Sequence, residues 1–207
     1  MLRRNKLPAQ VSGLADSTEM DPRGAVTSIQ SADVSLPAGD LESIWSEHWL
    51  ERLARTYWLY LSKVTLGLIR VVYSEDGRQV VLLFSPFKLL TFAKPEYELT
   101  PTHGSVTWRI AGGLLVARKN EGLLRIVVSR PTLTPDPFST EVDEAPSTVR
   151  VDVEVSNFYP AIAARISSHL YRWTQSAIHV FVTYGFLRSL ARGELAESKA
   201  KQFAEPD

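Results

Sequence analysis

The chain has 207 residues, 44% of them hydrophobic, enough for one well-buried core and short for two domains of ordinary size. Lys plus Arg and Asp plus Glu both number 23, so no global field favours nucleic acid, an anionic membrane or a polycationic partner, and only local patches remain open. There is no cysteine, which excludes disulfides, thiolate metal sites and cysteine nucleophiles and suits a reducing cytoplasm.

Residues 1–23 mix Ser, Asp, Glu, Arg and Pro without an apolar period, so they read as a disordered tail. Their positive start, Met1 to Pro8, is not followed by an apolar core and is not a signal peptide. A single domain is expected from residue 24 to 192, with a second flexible tail over 193–207. The most apolar window, Ala177 to Leu190, is interrupted by His179, Thr183 and Arg188, so no transmembrane segment is expected.

Val26, Ile29, Val34 and Leu36 mark a weak first strand between Ala25 and Leu36. Pro37 to Asp40 forms a turn ending on a helix cap, with Glu42 where the helix dipole favours a negative charge. Leu41, Ile44, Trp45 and His48 share one face, but from Leu50 the stripe is Leu50, Leu53, Tyr57, Leu61 and Val64, about half a turn away. That shift predicts two helices joined near Glu47. Glu51, Arg52, Arg55, Thr56, Ser62 and Lys63 are expected on the solvent side of the second.

Past Leu66 the period becomes that of strands. Leu68 to Tyr73 and Gln79 to Phe84 flank Asp76-Gly77, a strong hairpin signal. Further strands are predicted over Phe87–Phe92, Tyr97–Leu99, Val106–Ile110, Leu114–Arg118 and Leu123–Ser129, and Gly112-Gly113 is a hairpin turn. A proline-rich acidic loop, Pro131 to Pro146, is long enough for a lid or an insertion. In the strand Thr148–Val155, alternation buries Val149, Val151, Val153 and Val155 and turns Arg150, Asp152 and Glu154 away. After Pro160, roughly thirty residues without proline predict a long C-terminal helix or two pieces of one.

The expected fold class is therefore α+β: a curved antiparallel sheet of about six to eight strands packed on a long C-terminal helix, with two helices before the main run of strands. Ser28 to Ala38, running into Leu41-Glu42-Ser43-Ile44-Trp45, resembles the first strand and short tryptophan-bearing helix of the helix-grip fold. This is the fold of the START-like (SRPBCC) superfamily, which includes lipid-transfer proteins, polyketide cyclases and plant hormone receptors. The resemblance implies a sheet curled around the last helix, with an apolar small molecule or lipid held between them. An enzyme on the same scaffold, such as a cyclase, aromatase or hydrolase, is the second reading. The third is a dimerising structural protein without a pocket, its homodimer formed through the C-terminal helix, where Ile178 to Leu187 is apolar nearly all round.

In that helix Arg165, His169, Arg172, Ser176, His179 and Thr183 are spaced four, three, four, three and four apart and form one polar stripe. As a cavity wall, Arg165 or Arg172 would hold a carboxylate or phosphate while His169 or His179 exchanged a proton near neutral pH. As a solvent face the stripe would have no such role. Trp108, Trp173 and Tyr184 are aromatic candidates for the same wall, with plain core filling as the competing reading. His169 and His179 are separated by about 15 Å of helical rise and cannot share a metal ion. No metal site, cofactor, nucleotide loop or Gly-x-Ser-x-Gly elbow is expected, no catalytic residue is assigned, and a nucleic-acid partner is not expected.

Overall fold

A computed structural model describes residues 10–74, 77–82, 88–130 and 146–160. The elements, in chain order, are β1 (Gln10–Met20), β2 (Val26–Pro37), α1 (Ala38–Ile44), α2 (Glu47–Val64), β3 (Ile69–Ser74), β4 (Gly77–Leu82), β5 (Lys88–Phe92), β6 (Glu96–Leu99), β7 (His103–Gly112), β8 (Leu123–Ser129) and β9 (Pro146–Phe158). The nine strands form one sheet in the order β1-β2-β9-β8-β7-β5-β4-β3, with β6 also on β7. Every pairing is antiparallel. β6 meets the first half of β7 (Leu99 opposite Gly104) and β5 meets its end (Phe92 opposite Ile110). Ala93 to Pro95 thus interrupt what would otherwise be one partner strand, where a proline has no N–H for the ladder.

Alternation places the core as the valine strand predicts. Val149, Val151 and Val153 are buried and Arg150 is exposed. Across the registers they join Ile126 and Val128 of β8, Val106, Trp108 and Ile110 of β7, and Ala32 and Val34 of β2. Leu50, Leu53, Ala54, Tyr57 and Trp58 of α2 complete this core. The predicted break between the helices falls at Trp45–Ser46. There the Ser46 hydroxyl accepts the Trp49 amide at 3.2 Å, satisfying one of the free donors that open α2. α1 instead starts after Pro37, without a side-chain cap. No helix among the described residues is long and apolar enough to cross a membrane.

The fold class expected from the sequence is overturned. Among the described residues the sheet has nine strands, more than the six to eight expected, and the helix that completes its core is α2, from the N-terminal half. Hydrophobic periodicity locates helices but does not say which one a sheet covers. Residues 161–207 lie outside the described residues. Gln10–Met20, within the stretch read as a tail, is β1, paired with β2 from Val26 to Ser35 although its side chains are almost all exposed. Leu114–Arg118 is not a strand: only Val116 bridges, to Pro160. Glu51 and Thr56, expected on the surface of α2, are buried.

The end of α2 contains an unusual residue choice. The Gly67 amide bonds to the Ser62 carbonyl at 2.8 Å and the Leu66 amide to that of Lys63 at 3.1 Å, the paired bonds of a Schellman cap. Leu66 occupies the left-handed position of that cap, with φ 52°, where glycine is usual, and is 90% exposed. A left-handed leucine costs about 1–2 kcal/mol. Leu66→Gly is therefore expected to raise stability by about 1 kcal/mol, seen as a higher urea midpoint at unchanged slope. A lower midpoint would contradict this account of the cap.

Candidate functional site

A cavity of about 190 Å³ lies between the C-terminal half of α2 and the sheet and is partly open to solvent. α2 contributes Tyr57, Trp58 and Leu61. Ile69, Val80, Leu89, Leu90 and Phe92 come from β3 to β5, Ile110, Leu124, Val155 and Phe158 from β7 to β9, and Leu115 from the turn after β7. The strand registers bring these residues together: Val80 stands opposite Leu90, and Phe92 opposite Ile110, so each pair shares a face. Among the described residues every lining side chain is aliphatic or aromatic, and the sole hydroxyl belongs to Tyr57.

One aromatic layer behind the wall sits a buried charged cluster. Trp58 packs edge-on against Phe92 (5.1 Å between centroids) and Trp108 (5.4 Å). The Arg78 guanidinium lies 5.0 Å from the Trp108 ring and 5.2 Å from that of Tyr73. Its Nη2 donates to both carboxylate oxygens of Glu51, at 3.2 and 3.1 Å, and the Tyr97 hydroxyl donates to Oε2 of the same group. The ion pair is almost wholly buried, with side-chain exposures of 5% and 1%. Arg78 reaches inside because it shares a face of β4 with Val80. Arg55, one turn after Glu51, approaches the other guanidinium's partner Tyr73 at 5.7 Å.

The cluster is a clamp between α2, β4 and β6 and does not have the form of a catalytic pair. Glu51 is saturated by Arg78 and Tyr97, and none of the three lines the cavity. Burial, and then the bond to Glu51, raises the Tyr97 phenol well above its ordinary value, and burial alone raises that of Tyr57. Both folded values therefore exceed the unfolded value of about 10. The stability they provide is intact below pH about 10 and is lost as pH climbs beyond it, by up to about 1.4 kcal/mol per pH unit for each tyrosine and less for the half-buried Tyr97. Alkaline unfolding followed by circular dichroism is expected to be shallower in Tyr57→Phe and Tyr97→Phe. An unchanged slope in both would contradict the assignment.

Of the residues singled out in the sequence, Trp108 is fully buried and stands behind the cavity wall, in the core. Arg165, His169, Arg172, Trp173, His179 and Tyr184 lie outside the described residues. Among the described residues no group of three or more His, Asp or Glu side chains could hold a metal ion. The sequence reading missed Arg78 and the inward turn of Glu51. Its available signals were an arginine in phase with Val80 and a glutamate flanked by Leu50 and Leu53. No model of a known protein family matches the chain, and no curated protein matches it.

Proposed function

We propose that the protein binds a small apolar molecule, or one hydrocarbon chain of a lipid, in the cavity beneath the C-terminal half of α2. The observation that carries this reading is the lining: thirteen apolar or aromatic residues around a partly open space. Cavities of about 150 Å³ with such walls stay dry and accept benzene, whereas pockets for drug-sized ligands start at about 300 Å³. At about 190 Å³ the space suits a small hydrocarbon or a single chain whose polar end stays outside. An enzyme using this cavity would need an acid, base or nucleophile on its wall, and the one such group among the described residues there is the Tyr57 phenol, which burial raises above its ordinary value and so keeps neutral.

Val155, half-buried on β9, is the position to test because a larger side chain there enters the space. Wild-type protein is expected to enhance the fluorescence of N-phenyl-1-naphthylamine, and Val155→Phe to bind the dye at least about tenfold more weakly, a loss of about 1.4 kcal/mol. The variant's melting temperature should not fall by more than the modest cost of overpacking. Equal dye binding by the two proteins, or none by the wild type, would refute the reading.

A further inference from the structure

We propose that the end of the domain carrying the cavity docks on the surface of an anionic lipid bilayer, with Leu66, Leu68 and Leu114 entering its headgroup layer. This rests on the cavity reading and names where its ligand comes from. The three leucines are 90%, 51% and 58% exposed. Strand register places them at one end: Arg70 opposes Val81, Val81 opposes Lys88, and the Leu114 amide bonds to the Lys88 carbonyl at 3.0 Å. Leu66 and Leu68 lie in the turn that joins α2 to β3 immediately before Arg70. Leu68 precedes Ile69 and Leu114 precedes Leu115, and both of those successors line the cavity. A hydrocarbon chain would thus pass from a leaflet into the cavity along apolar side chains.

Leu66 adds an independent argument. Glycine would close the Schellman cap at lower cost, so a leucine that is both left-handed and 90% exposed serves something other than the fold. Charge selects the occupant. No Asp or Glu occurs among residues 61–74, 77–82, 88–95 or 110–120, whereas Lys63, Arg70 and Lys88 are exposed around the leucines. In a chain of zero net charge this is a local positive field. Protein interfaces surround an apolar centre with a rim in which charges of both signs are usual, whereas leucines that have only cations around them among the described residues match an anionic leaflet.

The test is co-sedimentation of the full chain with phosphatidylcholine vesicles, with and without phosphatidylglycerol. Binding is expected only to the anionic vesicles and should weaken with salt. Lys63→Gln and Lys88→Gln are each expected to lower partitioning about fivefold. Leu66→Gly combined with Leu114→Gln should lower it at least about tenfold while the protein remains folded. Val155→Phe, which fills the cavity and leaves the rim intact, should still sediment. Vesicle binding without dye uptake by the wild type would therefore support docking while removing the cavity reading. Equal binding to neutral vesicles, or an undiminished double leucine variant, would overturn the proposal. So would a gel-filtration dimer dispersed by that double variant, which would assign the leucines to a second copy of the chain.

Discussion

Glu51→Ala is expected to destabilise the fold by about 3–5 kcal/mol, because it leaves the Arg78 charge buried without its counter-ion. Arg78 is 5% exposed at the side chain, its Nη2 gives both its bonds to Glu51, and its Nη1 has no acceptor among the described residues. Deleting the carboxylate therefore strands a guanidinium between the rings of Tyr73 and Trp108. Replacing both partners removes the charge penalty and leaves only the Tyr97 hydroxyl without its bond to Glu51, so Glu51→Leu with Arg78→Met is expected to recover most of the loss. Urea unfolding of the single and double variants measures the difference. A single-variant loss below about 1 kcal/mol would mean that the pair is solvated, as surface pairs are.

Trp58→Ala is expected to cost about 3–5 kcal/mol, the usual range for emptying a buried aromatic site. Trp58 is 2% exposed, makes edge-on contacts with Tyr57, Phe92 and Trp108, and forms part of the cavity wall. Its removal thus enlarges the cavity that it lines. Indole at saturating concentration should raise the variant's melting temperature, since a guest bound only by the folded state stabilises it by mass action. The wild type should respond less. A variant of undiminished stability, or one indifferent to indole, would show that Trp58 does not separate the cavity from the core.

The parts of the fold that were legible in the sequence are those set by local period. Val149, Val151 and Val153 alternate because one face of β9 is buried, and the half-turn shift between Trp45 and Leu50 marks the break between α1 and α2. The hairpin of β3 and β4, in which Ser74 stands opposite Gly77, follows from the Asp-Gly signal and the alternating runs on either side. Other features depend on partners distant in the chain. β1 has no apolar face to betray it, since it is held by backbone pairing to β2 and bends where the register shifts between Ser12 and Ala15. Which helix completes the core is a tertiary choice, and the roughly thirty residues without proline after Pro160 do not decide it by length. Glu51 was read as a surface residue because glutamate usually is. It enters the core against Arg78 and Tyr97, 27 and 46 positions later in the chain. The cavity walls come from elements far apart in the chain, Tyr57 and Phe158 among them, and so share no local period.

Native mass spectrometry of the purified full chain tests most directly whether the space beneath α2 takes an apolar guest. A bound hydrocarbon or single-chain lipid mass is expected on the wild type and absent from Val155→Phe. A wild-type chain that carries no adduct and acquires none after incubation with a fatty acid would contradict the account.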